Sequence, residues 1–302
     1  MTIIHVENLK KSFQSNEVIK GISFGLEEGQ CIALLGANGA GKTTILKMLS
    51  GLMKQSSGKI IFDGIQKGDD LRKYIGYLPQ FPVFYEWMTG REFLEHVGKL
   101  AGLPGKEAKE RTVELLELVG ILEAKNRRIG KYSGGMKQRL GIAQAIIHKP
   151  KLVMLDEPVS ALDPFGRREV LQLIEKLKKE TTVLFSTHIL NDAEEVCDEI
   201  MFLHKGEIVE SGTMEELRSK HQQASIDIVL QDKAEKFMDQ FKDHHLIQSY
   251  TIDGNRCSVI VTNIEEAKQA FLKEIIVNNW PLIKFELSRT SLEDVFMKVV
   301  QK

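Results

Sequence analysis

"GANGAGKTT", Gly36 to Thr44, lies between the apolar run "CIALL" and the stretch "ILKMLSGL". Gly36, Gly39 and Gly41 fall within six residues, and glycine gives up the most backbone freedom on folding, so something must repay their ordering. The stretch fits G-x-x-x-x-G-K-[ST] in the setting that pattern needs, behind a buried strand and ahead of a helix. Glycines there let successive backbone N–H groups turn inward at phosphate oxygens. A helix starting near Lys42 adds the positive end of its dipole. Gly36, Ala37, Asn38, Gly39, Ala40, Gly41, Lys42, Thr43 and Thr44 are therefore expected to bind nucleotide. Lys42 would neutralise the β- and γ-phosphates, and the Thr43 hydroxyl would ligate Mg²⁺.

Outward from the loop, strands and helices alternate. "IIHVENL", "VIKGISFGL" and "GKIIFDG" read as edge or antiparallel strands. "CIALLG", "KLVMLDEP" (Lys151 to Pro158), "TTVLFSTH" (Thr181 to His188) and the run from Ile200 to Leu203 read as buried parallel strands. In "GRREVLQLIEKLKKE", Val170, Ile174 and Leu177 share one helical face. The expected class is α/β, a parallel sheet flanked by helices. Strands stop between Gln80 and Tyr132, where "REFLEHVGKLAG" places Phe93, Leu94, Val97 and Leu100 on one side of a helix. A helical insert of about 81–140 is expected. From Ser225 the order is strand, helix, two strands, helix, strand and a last helix (Leu292, Val295, Phe296, Val299), a small α+β domain. The expected division is 1–220 and 221–302.

The totals exclude several classes. A net charge of −1 offers no electrostatic case for nucleic acid. The longest apolar runs are too short to span a bilayer, and "MTIIHVENLKKSF" has no secretory pattern. Cys31, Cys197 and Cys257 are odd in number and far apart, which suits neither a disulfide framework nor a metal cluster and fits a reduced cytoplasm.

"LVMLDEP" ends a buried strand in two carboxylates, and a buried charge needs compensation. With a phosphate loop upstream, Asp156 at the strand tip can hold Mg²⁺ through water and Glu157 can orient the attacking water. In "KYSGGMKQRLGIAQAI", Ser133 is a good N-cap before two glycines, a second phosphate-binding helix end.

These stretches together resemble ATP-binding cassette ATPases. "KYSGGMKQRLGIAQAI" is similar to their signature motif, "YLPQ" ending at Gln80 to their Q-loop, "SALD" (Ser160 to Asp163) to their D-loop and "STH" ending at His188 to their switch histidine. "KSF" puts Phe13 where the family carries an aromatic that stacks on adenine; ordinary packing is the other reading of that ring. The resemblance runs in family order from the N-terminus to about residue 220. It implies a P-loop cassette with a mixed or parallel core sheet, an antiparallel β subdomain and a helical insert. It implies ATP and Mg²⁺ as ligands, with Thr43, Gln80 and Asp156 on the metal and Glu157 and His188 as catalytic residues. It also implies a head-to-tail dimer, in which Tyr132, Ser133, Gly134 and Gly135 of one subunit cover the γ-phosphate on the other, and it places Asp163 in the D-loop. Tyr132, Met136, Ala161 and Ala37 stand where many relatives carry Leu, Gln, Gly and Pro, and none of these removes a phosphate ligand.

The resemblance implies an energy-coupling subunit, a homodimer or a heterodimer with a related cassette, driving a separate membrane permease from the inner face of the cell membrane. The insert would dock on the permease. "FPVFYEWMTG" is either an exposed aromatic cluster there or the insert's own core. The tail, ending "SLEDVFMKVVQK", resembles that of bacterial ABC-2-type drug and antibiotic exporters, and would dimerise, regulate or merely buttress the cassette. A soluble cassette ATPase acting on ribosomes or DNA is the alternative, but such chains usually carry two cassettes or a long charged coiled coil. A GTPase switch lacks its N-K-x-D motif here.

Overall fold

The structure, a computed structural model, describes residues 2–65, 70–160, 162–221, 224–241 and 244–289. Two units make up the chain, Met1–Met214 and Glu215–Lys302.

The first unit contains β1 (Thr2–Phe13), β2 (Asn16–Glu27), β3 (Cys31–Leu35), α1 (Lys42–Leu49), β4 (Ser57–Phe62), β5 (Ile75–Leu78), α2 (Gly90–Leu100), α3 (Gly105–Leu118), α4 (Gly134–Ile146), β6 (Leu152–Asp156), α5 (Pro164–Leu177), β7 (Thr182–Thr187), α6 (Leu190–Val196), β8 (Glu199–His204) and β9 (Glu207–Thr213). The second contains β10 (Ala224–Leu230), α8 (Glu235–Phe241), β11 (Ile247–Asp253), β12 (Arg256–Val261), α9 (Ile264–Val277) and β13 (Leu282–Arg289), with α7 (Met214–His221) at the division.

Every residue of β3, β6 and β7 is buried, as expected of parallel strands covered on both faces. They form the centre of a six-stranded sheet in the order β5-β6-β7-β3-β8-β9. Pairing is parallel from β5 to β8, and only β9 runs antiparallel. Parallel strands end on the same side, so the segments after β5, β6, β7 and β3 all emerge along one sheet edge, where ligands bind in open α/β sheets. That edge carries Gln80, Glu157, His188 and the glycine loop. A second sheet, β2-β1-β4, is antiparallel. Its Ile4, Leu9 and Leu26 share one core with Ile45, Leu46 and Leu49 of α1 and with Ile32, Leu34 and Met154 of the large sheet. The apolar face of α1 is thereby fixed, and with it the direction of its N-terminus.

The insert opens in irregular backbone over 81–89 before α2 begins. Thr89 and Glu92 close a reciprocal cap, each side chain accepting the other's backbone N–H. Phe93 and Leu94 are buried and Val97 half-buried, but Leu100 is exposed, contrary to the expected stripe. The buried stripe of α2 runs through Gly98 instead, where an added Cβ would lie 3.2 Å from Ala108 and from Ile147, and that leaves Leu100 off its edge.

In the second unit the sheet is antiparallel in the order β11-β12-β10-β13. Its core includes Phe237, edge-on to Phe271 at 6.4 Å and to Trp280 at 5.4 Å. The expected strand–helix order is observed through β13. The expected last helix at 292–299 and Ala161 lie outside the described residues. Among the described residues no helix is long and apolar enough to cross a membrane.

Candidate nucleotide-binding site

The glycine loop is held by close packing that only glycine permits. A Cβ on Gly36 would lie 2.4 Å from the Leu203 carbonyl oxygen. Gly41 caps α1 at φ +111°, a region side chains rarely adopt, and a Cβ there would strike Ile19 Cδ1 at 2.5 Å. Lys42, the first residue of α1, folds back over the loop: its ammonium donates to the carbonyls of Gly36 (2.9 Å) and Ala37 (3.3 Å).

Four side chains converge from the sheet edge. Lys42 Nζ lies 3.1 Å from Glu157 Oε1. The other oxygen, Oε2, accepts from Gln80 Nε2 at 3.2 Å and lies 3.3 Å from His188 Nδ1. Glu157 holds φ +47°, a strained setting for a non-glycine residue that costs on the order of 1–3 kcal/mol. Ser186 maintains it, accepting the Glu157 N–H at both its carbonyl (3.2 Å) and its hydroxyl (2.9 Å). The Ser186 hydroxyl in turn donates to Asp156 Oδ1 at 2.7 Å, and Thr43 donates to the same oxygen at 3.1 Å.

Asp156 Oδ2 is buried without a hydrogen-bond partner, so one carboxylate oxygen is left free beside a threonine hydroxyl. That is a hard oxygen donor set, and it fits a magnesium ion. Burial, and then the negative charge of Asp156, hold the neighbouring Tyr77 phenol well above the usual tyrosine range. Sequence reasoning does not single out Ser186 or Tyr77. A serine next to the last residue of the strand, directly after its apolar run Val183–Phe185, is the available signal for the first.

Comparison with known proteins agrees with this geometry. The family described as "ABC transporter" matches residues 19–160, and "ATP-binding protein DrrA1-3-like, C-terminal domain" matches residues 212–300. The uncharacterized ABC transporter ATP-binding protein YxlF of Bacillus subtilis (strain 168) is 45% identical over 298 residues, 99% of each chain. The chain belongs to the ABC transporter ATP-binding proteins. The bacitracin transport ATP-binding protein BcrA of Bacillus licheniformis is 34% identical over 306 residues, 99% of this chain and 97% of that one. The linearmycin resistance ATP-binding protein LnrL of Bacillus subtilis is 32% identical over 304 residues, 98% of each. A solved ATP-binding subunit of an ABC transporter superposes with a TM-score of 0.65 at 32% identity, over 72% of this chain and 92% of that one. A cassette solved as a dimer in a post-hydrolysis state with ADP and Pi gives a TM-score of 0.64 at 26% identity, over 70% of this chain and 99% of that one. The protein is thus an ATP-binding subunit and an ATPase.

The other expected residues of the ATP-binding subunit lie outside this cluster. Ser133 caps α4, accepting the Met136 N–H at 3.2 Å; Ser133 and Gly134 are exposed, while Gly135, Met136 and Lys137 of the first turn are half-buried. Tyr132 is different: its ring is buried in the insert and its hydroxyl donates to the Ala124 carbonyl at 2.8 Å. Burial raises its phenol. Only its backbone can face a partner. Asp163 caps α5 through the Gly166 N–H at 2.7 Å. Phe13 is about half-exposed at the end of β1, with Lys11 Nζ 4.9 Å from the ring centroid, so one ring face already meets a cation.

Proposed function

We propose that the chain is the energy-coupling subunit of an exporter, pairing with a second copy or a related cassette and driving a separate membrane permease from the inner face of the cell membrane. The observation that carries this reading is the convergence of Lys42, Gln80 and His188 on Glu157 beside the glycine loop.

In this reading residues 1–220 form the ATPase domain and 221–302 an accessory domain. The backbone of Gly36–Thr44 and the ammonium of Lys42 hold the triphosphate, and Phe13 stacks on adenine. Thr43, Gln80 and Asp156 hold Mg²⁺, which when bound neutralises charge on the phosphate oxygens. Glu157 orients a water and takes up its proton, its carboxylate steered by Gln80 and His188. His188, exposed at the end of β7, reaches the terminal phosphate. Ser133, Gly134 and Gly135 at the free N-terminus of α4, with Tyr132 contributing backbone, close over the partner's nucleotide. Asp163 faces the same partner. No nucleic acid is expected as a partner. Export is supported by the bacitracin and linearmycin relatives, whose names record transport of, and resistance to, antibiotics.

The permease-docking surface is the segment after Gln80. Phe81, Val83, Tyr85 and Trp87 are exposed, while Phe84 turns inward onto Phe93 at 5.2 Å. Four exposed apolar side chains within seven residues mark an interaction surface, and Gln80 connects that surface directly to Glu157. Purification of the full chain in mild detergent is expected to bring down one integral-membrane protein. A Phe81→Ala/Trp87→Ala variant should lose it and keep the ATPase rate of the free chain. Co-purification of ribosomes or DNA instead would overturn the transport reading.

A further inference from the structure

Asp192, in the first turn of α6, is wholly buried, yet belongs to none of the motifs named above. Its Oδ1 accepts from Arg167 Nε at 2.6 Å and lies 2.5 Å from Arg167 Nη2. Its Oδ2 accepts from the Thr187 hydroxyl at 3.4 Å. A carboxylate taken fully out of water is unfavourable unless it is paired. Burial does push the Asp192 carboxyl above its usual range, with the Arg167 hydrogen bond and charge pulling the other way.

Each partner of Asp192 belongs to a different arm of the site. Arg167 lies one turn into α5 and its N–H bonds the Asp163 carbonyl at 2.9 Å, so it travels with the D-loop. Thr187 precedes His188, and its hydroxyl oxygen also accepts the Ile189 N–H at 3.0 Å, closing the turn that presents the histidine.

We propose that the Arg167–Asp192 pair is a positioning device that ties the helix after the D-loop to the turn carrying His188. Movement of the D-loop as a partner cassette arrives is thereby passed to the histidine. This rests on the reading that His188 acts at the terminal phosphate. The link has little slack, because a planar guanidinium meets a short, fully enclosed carboxylate. Lys42, Thr43 and Phe13 stand on other elements, so the pair should govern the rate and leave ATP affinity alone.

The test uses the full chain with Asp192→Asn, Arg167→Gln, the double variant and His188→Ala, measuring kcat, KM for ATP and thermal melting. Misplacing a reacting group by about 1 Å can slow a reaction roughly 100-fold, so a fall in kcat of roughly 10- to 100-fold is expected with KM unchanged. The double variant should be no slower than the slower single, since both remove the same link. A folded double variant turning over at the wild-type rate overturns the proposal, as does a loss equal to the product of the single losses. If His188→Ala hydrolyses ATP normally, the reading of His188 itself fails. If His188→Ala is inactive while Asp192→Asn runs at full speed, only the coupling fails. Should the neutral variants not melt cooperatively, Asp192→Glu decides, because it keeps the charge and lengthens the link. A lowered kcat at an unchanged melting temperature supports the proposal, and an unchanged kcat overturns it.

Discussion

Lys42 Nζ lies 3.1 Å from Glu157 Oε1, and both side chains are more than nine-tenths buried. The cation expected at the phosphates and the carboxylate expected to orient water therefore neutralise one another. In the proposed reading, a phosphate seated on Lys42 would compete directly with Glu157 for its ammonium.

Lys42→Ala should abolish ATP binding in calorimetry. It should also destabilise the protein, because Glu157 then keeps only Gln80 and His188. Breaking a buried ion pair by removing one partner costs about 3–5 kcal/mol, and the lower part of that range is expected in urea unfolding. Unchanged nucleotide affinity would contradict the phosphate-loop assignment.

Glu157→Gln retains the size of the side chain but cannot accept a proton. Loss of a general base slows turnover by roughly 10²- to 10⁴-fold. ATP should still bind and then persist between one subunit's loop and the other's Ser133. Gel filtration should show a dimer with ATP and a monomer without it. Adding Ser133→Arg should abolish that dimer and leave ATP binding by the monomer intact. A Glu157→Gln protein that hydrolyses ATP at the wild-type rate sinks the catalytic assignment.

Gly90→Ala would place a Cβ 2.3 Å from the Tyr132 hydroxyl oxygen. Overpacking of this kind costs about 1–3 kcal/mol. Because the hydroxyl is the nearest atom, Tyr132→Phe should recover part of the loss made by Gly90→Ala, although alone it gives up the bond to Ala124. Chemical denaturation of the two singles and the double measures this coupling, and strictly additive losses would refute the contact.

His148 Nε2 donates to the Ile75 carbonyl at 3.1 Å, and burial lowers the ring's proton affinity below its ordinary value of 6.5. A histidine with a depressed folded value binds fewer protons folded than unfolded. Its contribution is therefore present above pH 6.5 and is lost as pH falls below it. Each unit of pH in that window changes stability by up to about 1.4 kcal/mol. His148→Gln should flatten the profile below about pH 6.5 in urea unfolding. An equally steep profile in the variant would assign the effect to other groups.

Much of the fold and site is legible in the chain because it is local. The glycine spacing of Gly36–Gly41, the continuous apolar runs of β3, β6 and β7 and the strand–helix order after Ser225 follow from backbone freedom and from burial on both faces of a parallel strand. β5 and β9 are not legible as strands. β5 is only four residues long, and β9 is half-exposed at the sheet edge, so neither carries a strong apolar pattern.

What only the tertiary structure decided is which distant residues meet. Sequence alone determined that this protein has a phosphate loop, two carboxylates after a buried strand and a second capped helix end. It could not determine that Glu157 takes φ +47° under the hold of Ser186, that the Tyr132 ring is buried while Gly134 beside it is exposed, or that Arg167 reaches across to Asp192. The reason is physical. Propensity and periodicity act over a few residues, whereas these contacts join positions brought together by the order of strands in the sheet. That order is set by burial of the whole core, which no short stretch specifies.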